Sequence, residues 1–199
     1  MEKSLSHPGE SRTKAVETFF DSLEDLHVKA YFLRNEDESV AVLRDILLRE
    51  KCGSVLVAGI PPRFKEFVLR AVSGLKCTIV EDLNRNTATE VLSTADAGIT
   101  WIAFGLSHEG ALLEITYDNV TKMASSLPLV HLALLESSSI LPDLLQAMPE
   151  VGRIISESPV NKKPTISFIS GPSKTGDIEM RLLYGVHGPH SVYALVLDW

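Results

Sequence analysis

Residues 170–179 read SGPSKTGDIE and residues 185–189 read GVHGP, so hydroxyls, two carboxylates, a lysine, a histidine and closely spaced glycines gather in one short segment. Gly171 and Gly176 have the separation of the two glycines in a P-loop, but Asp177 and Ile178 stand where that loop needs Lys and Ser or Thr. A carboxylate aimed at triphosphate oxygens repels them, and an ordinary ATPase mechanism is not expected. What remains is a strand feeding a loop that holds Ser170, Gly171, Ser173, Thr175 and Gly176, followed by a short helix around DIEMRLLY. The free N–H groups at such a helix start can hold an anion, with Lys174 adding attraction if it turns inward. The same residues also fit a purely structural corner in which Ser173 or Thr175 caps the helix while Asp177 and Glu179 complement its dipole.

Gly185 reads as the glycine that ends this helix, and His187 and Gly188 follow in a tight turn. His187 suits an acid, base or hydrogen-bond donor, or a histidine held by a backbone carbonyl. No further ligand stands at a recognised spacing from His187 and His190, so no metal is expected. The second polar concentration is SHEGA at 107–111, where His108, Glu109 and Gly110 interrupt two apolar runs. His108 and Glu109 share one site only if this stretch is a turn, because neighbours on a strand face opposite sides. His131, inside LVHLALL, reads as a satisfied core histidine, and Trp101 and Trp199 as packing residues.

These candidates need elements to position them. Val16, Phe19, Phe20 and Leu23 follow helical spacing, HVKAYFL reads as a strand, SVAVLRDILLREK returns to a helical period, and SVLVAG is a short buried strand. PPRFKEFVLRAVSG opens on proline and closes on Gly74 as a helix, before the strand CTIVE. This alternation predicts an α/β, Rossmann-like fold with a mainly parallel sheet flanked by helices. No GxGxxG is present, so a nicotinamide cofactor has no support. The second half reads as strands GITWIAFG, ALLEIT and LVHLALL joined by short polar connections, with LSHEG a hairpin turn or exposed corner. ILPDLLQAMPEVG reads as a helix starting near Pro142, SESPVNKKP as a loop, and TISFIS and SVYALVLDW as strands.

The chain has 199 residues, 45% of them hydrophobic, which suits one domain over 1–199 with residues 1–12 as a flexible N-terminus. A net charge of -7 argues against nucleic acid and anionic membranes as partners. There is neither a membrane-length apolar run nor a signal-like N-terminus, so a soluble cytoplasmic protein without a membrane span is expected. Cys52 and Cys77 are the only cysteines and form no CxxC, so this chain alone is expected to hold no iron–sulfur cluster.

PLVHLALL at 128–135, SGPSKTGDIE at 170–179 and GVHGP at 185–189, taken in that order, resemble the LUD-domain family, the LutC/YkgG-type lactate-utilisation proteins. The similarity is densest over the C-terminal hundred residues. It implies an α/β fold similar to the NagB/RpiA/CoA-transferase-like superfamily, and a cluster-free place beside iron–sulfur subunits in a complex oxidising L-lactate to pyruvate. The implied site joins Ser170, Gly171, Ser173, Lys174, Thr175, Gly176, Asp177 and Glu179 to His187 and Gly188, with His108, Glu109 and Gly110 beside them, around a small anionic ligand. In that site His187 transfers a proton and Asp177 orients an imidazole or a ligand hydroxyl. The chain departs from the family at 101–111, where Trp101 replaces a glycine, Ala103 an aspartate, and His108, Glu109 and Ala111 replace Glu, Thr and Thr. Two alternatives are a stand-alone transferase or cyclo-ligase-like enzyme binding a nucleotide, folate or CoA-like ligand, and a non-catalytic interaction module.

Overall fold

The computed structural model describes residues 8–83, 85–159, 161–176, 182–184 and 188–199. The first half alternates helix and strand: α1 (Pro8–Asp25), β1 (Lys29–Leu33), α2 (Glu36–Arg49), β2 (Ser54–Ala58), α3 (Pro62–Ala71), β3 (Lys76–Ile79), a 3₁₀ turn at Val80–Asp82, α4 (Arg85–Thr94) and β4 (Ala97–Trp101). Then follow β5 (Phe104–Leu106), β6 (Ala111–Thr116), α5 (Asn119–Ser126), β7 (Val130–Glu136), a second 3₁₀ turn at Ser137–Ser139, β8 (Ile140–Leu141) and α6 (Leu144–Glu157). The chain ends in β9 (Thr165–Ile169), β10 (Lys174–Gly176), β11 (Leu182–Tyr184) and β12 (Ser191–Leu197).

Six strands form one sheet in the order β1-β12-β7-β4-β2-β3, with every neighbouring pair parallel. Burial on both faces explains the continuous apolar run of β2 and the near-continuous one of β7, interrupted by His131. On one face, Leu43 and Ile46 of α2 and Phe64 and Phe67 of α3 pack on Val55, Ile99, Leu132 and Leu195. On the other, Phe19 and Leu23 of α1 pack on Ala133, Leu135, Ala194 and Val196, while Leu92 of α4 and Ala124 of α5 cover Leu56 and Ala58. Local signals support these elements: Asn35 caps α2 by accepting the Glu38 N–H at 2.9 Å, and Asp118 caps α5 through the Thr121 N–H at 2.8 Å.

A second sheet, β8-β5-β6-β9, pairs antiparallel at β5–β6 and β6–β9 and parallel at β5–β8. Leu112 on its inner face joins the α1 core, and Leu106 and Leu113 on its outer face pack under Ala147 and Val151 of α6. The apolar run GITWIAFG is therefore two strands. Ile102 donates its N–H to Leu134 O at 2.8 Å and Ala103 donates to Leu113 O at 2.9 Å, so the chain steps from one sheet to the other between adjacent residues.

Two further expectations are corrected. The polar connection before β7 contains α5, whose capping by Asp118 supplies the helix start that its short apolar content does not. The expected helix around DIEMRLLY is absent over Leu182–Tyr184, which instead pair antiparallel with Lys174–Gly176. Three consecutive apolar residues carry no period that separates helix from strand, and pairing with β10 decides the outcome. Among the described residues, no helix is long and apolar enough to cross a membrane.

Candidate functional site

The described part of the corner begins where β9 ends. Ser170 is exposed, and Gly171 has φ +102°, with its backbone pressed against the Leu26 carbonyl at the end of α1. Ser173 donates its N–H to Pro189 O at 2.8 Å, and a Cβ on Gly188 would stand 3.2 Å from that of Ser173. The two motifs therefore meet in space at Ser173 and Gly188. Lys174, Thr175 and Gly176 lie in β10 opposite Tyr184, Leu183 and Leu182, so they belong to a strand rather than to a loop before a helix. Asp177, Glu179, Gly185 and His187 lie outside the described residues.

The 107–110 segment is the turn of the β5–β6 hairpin. Gly110 has φ +59°, and a Cβ there would fall 2.7 Å from Ser22 O and 2.8 Å from Leu26 Cδ1. Both Gly110 and Gly171 thus let their backbones reach the same end of α1. His108 and Glu109 are exposed and turn toward α6: the His108 N–H donates to Pro142 O at 3.0 Å, and Glu109 Oε1 accepts the Leu144 N–H at 3.1 Å. Together with Asp143, which accepts the Gln146 N–H at 2.9 Å, Glu109 satisfies the start of α6.

Sequence reasoning does not single out the most unusual polar group of the interior. Glu114, Thr100, Ser125 and Thr116 are 1%, 1%, 5% and 3% exposed and lie with the fully buried His131 between the two sheets and α5. Ser125 Oγ donates to Glu114 Oε2 at 2.8 Å, and Thr100 Oγ1 lies 3.0 Å from His131 Nε2. Burial raises the proton affinity of the Glu114 carboxylate, opposed by the Ser125 and Thr100 hydroxyls and the charge of Lys122. Burial also lowers the His131 pKa to about 4, so its imidazole is neutral. Glu114 Oε1, Thr116 Oγ1 and His131 Nδ1 have no partner among the described residues. His131 is therefore a core histidine, satisfied among the described residues at Nε2. The available signal was Glu114 itself, a carboxylate inside ALLEIT in alternation with Leu112 and Thr116.

The carboxyl ends of the parallel strands are differently occupied. Strand order reverses between β2 and β4, the place where open α/β sheets bind ligands. Here Trp101 stacks on Phe64 with ring centroids 5.0 Å apart, Arg63 lies over the Phe64 ring with its Cζ 4.4 Å from the centroid and pairs with Glu136, and Trp199 meets both Phe64 and Phe67 edge-on. The Gly59 N–H, at the position a phosphate would take, donates to Glu81 Oε1 at 2.6 Å.

Comparison with known proteins agrees with this arrangement of segments. The LUD domain profile matches residues 16–197. The chain belongs to the LUD-domain family. Among its relatives are proteins named Lactate utilization protein C in Bacillus pumilus, 26% identical and covering 94% of this chain and 80% of the relative, and in Anoxybacillus flavithermus, 31% identical and covering 82% and 72%. The Bacillus subtilis protein of that name is 30% identical over 78% of this chain and 68% of its own length. A crystal structure of a DUF162 family protein from Deinococcus radiodurans superposes with a TM-score of 0.67 at 19% identity, covering 94% of this chain and 98% of that one. The LUD fold is thus an α/β fold with a mainly parallel sheet flanked by helices. Among its described residues here, no three His, Cys, Asp or Glu side chains come together as a metal site. Cys52 and Cys77 are unpaired, and burial raises the pKa of Cys52 to about 11.

Proposed function

We propose that this LUD-domain protein is a cluster-free component of a system that uses lactate or a related 2-hydroxy acid, and that it binds a small anionic ligand at the corner formed by residues 170–179 and 185–189. The bond from the Ser173 N–H to Pro189 O supports this reading most directly, because it joins the two motifs into one place. The lactate assignment is supported by the shared name of relatives in three bacteria. In this reading the Ser170 and Ser173 hydroxyls and the backbone of Gly171, Gly176 and Gly188 surround the ligand, with Lys174, Thr175 and Glu179 beside them. His187 transfers a proton, and Asp177 orients an imidazole or holds a ligand hydroxyl. The 108–110 turn stands at the edge through its contact with the same end of α1, and its His108 and Glu109 are specificity candidates of lower rank because Glu109 is engaged with α6.

The protein works in the cytoplasm beside iron–sulfur subunits that carry the electrons of the oxidation. At the β2–α3 turn, one place where the phosphate of a nucleotide could sit, the Gly59 N–H is already taken by Glu81. The test replaces His187 and Asp177 singly by Asn and measures stability and lactate binding by calorimetry. Normal folding with weakened binding is expected; undiminished binding in both variants refutes the site. Co-purification of iron–sulfur proteins from the native host tests the assembly.

A further inference from the structure

A surface helix ordinarily turns one apolar stripe to the core and polar residues elsewhere. α6 carries two apolar stripes. Leu144, Ala147 and Val151 pack on Leu106 and Leu113 of the second sheet, and on the polar side Arg153 pairs with Glu150 at 3.0 Å and Glu157 at 2.7 Å. Beside the core-facing stripe run Leu145, Met148, Gly152 and Ile155, spaced three, four and three residues apart as one seam along the helix. Leu145, Met148 and Ile155 are 82%, 49% and 46% exposed.

Gly152 sharpens the observation. It lies in the helix interior, where glycine is less favourable than alanine because it has more backbone freedom to lose. A Cβ added there would meet nothing within 4 Å, so no contact among the described residues requires glycine. The position is a hole in an apolar seam, shaped for a large side chain of an approaching surface.

Phe168 adds to the same side of the molecule. It is 53% exposed in β9, an edge strand of the second sheet, opposite Leu113 and two residues from Ile166, which packs with Ala147 and Val151. Alternation therefore puts it on the sheet face that α6 covers. These four exposed side chains leave on the order of 400 Å² of apolar surface per copy, about half of the ~800 Å² each partner gives to a stable interface. Pro149, Gly152 and Ser156, also exposed, and the rim around them supply the rest.

The seam is self-complementary. Its four positions are symmetric about residue 150, so two copies of α6 laid antiparallel set Leu145 of one against Ile155 of the other, and Met148 of each over Gly152 of the other. A two-fold axis brings one patch onto itself in this way. The glycine lets the helix axes approach to about 8 Å, the near limit of helix packing. No seam residue is charged, and Arg153 is paired within its own helix, so nothing in the seam selects a charged partner.

We propose that the α6 seam is the interface of a two-fold dimer of this chain, with Met148 of each copy seated on Gly152 of the other. This inference does not depend on the ligand corner.

Sedimentation equilibrium of the full chain at about 1 to 100 μM should give twice the 21.8 kDa of one chain. Leu145→Glu and Gly152→Gln should each weaken association by about tenfold or more. At dilutions where both proteins are single chains, Gly152→Gln should melt no lower than wild type, because glutamine suits a helix interior better than glycine. That combination separates a lost interface from a damaged fold. Leu145→Glu combined with Ile155→Lys should restore association, since the antiparallel arrangement sets the new carboxylate beside the new ammonium of the other copy. A single-chain mass for wild type throughout the range overturns the proposal. So does a dimer that neither single substitution weakens, or one that the double variant fails to restore.

Discussion

The pH dependence of stability around His131 can be worked out from its burial. The imidazole is fully buried, and protonation is pushed from an ordinary 6.5 down to about 4. The unfolded chain therefore binds a proton between those values that the folded chain refuses. Stability conferred by the neutral imidazole is fully present above pH 6.5 and is lost as pH falls through about 4. Linkage gives a loss of about 2 kcal/mol at pH 5 and about 3 kcal/mol at pH 4 relative to pH 7. Glu114 acts with the opposite sign: its folded pKa is raised, so its contribution is complete below the ordinary carboxylate range and declines as pH rises through the raised value. Lys122 and the Ser125 and Thr100 hydroxyls limit that rise. The measurement is urea unfolding followed by far-ultraviolet circular dichroism at intervals from pH 4.5 to 7.5, for wild type and His131→Gln. Titrating groups distant from residue 131 contribute equally to both proteins, so the difference reports His131 together with any coupled change at Glu114. The stability difference, wild type minus variant, should grow by about 2 kcal/mol from pH 5 to 7 at unchanged urea slope. A difference constant to within about 0.5 kcal/mol refutes the view that burial holds this imidazole neutral.

Two simpler substitutions test the supports of the site. Gly171→Ala places a side chain at φ +102° against the Leu26 carbonyl, and thermal unfolding should show a loss of roughly 2 kcal/mol or more, with the hairpin beyond it displaced. Asp96 accepts the Gly53 and Ser54 N–H groups at 2.9 and 2.8 Å and the Ser54 hydroxyl at 2.8 Å, which lowers its pKa. Asp96→Asn should cost about 1–2 kcal/mol at pH 7 in denaturant titration, and the deficit should shrink as pH falls below the ordinary carboxylate range.

The parallel half of the fold was readable because burial on both faces writes itself as near-continuous apolar strands, and because Pro61–Pro62 mark a helix start by local chemistry. What was not readable depended on partners distant in the chain. Nothing in WIAFG marks the step between sheets, which exists because Leu134 and Leu113 accept successive N–H groups from different sides. The helix expected around DIEMRLLY gave way over Leu182–Tyr184 because Lys174–Gly176 offered a ladder. The meeting of Ser173 with Gly188 follows the order in which the motifs were read, whereas the Glu114 cluster needs β6 to lie across β4 and β7, a tertiary fact. Glu109 shows the converse: its polarity stood out, and its carboxylate completes a helix start.

The two ends of the parallel sheet have been put to different uses. At the carboxyl end, where the fold would ordinarily receive a ligand, Trp101 and Phe64 stack, Arg63 and Glu136 pair, and Glu81 takes the Gly59 N–H. Each of these groups is satisfied by another part of the same chain, so that end is occupied by side chains. Toward the amino end of β7, Leu129 and Ser126 meet the described corner residues, and Glu114 Oε1 and His131 Nδ1 have no partner among the described residues. A buried polar group left without any partner costs on the order of 1–3 kcal/mol. Trp101 stacks on Phe64 at the carboxyl end.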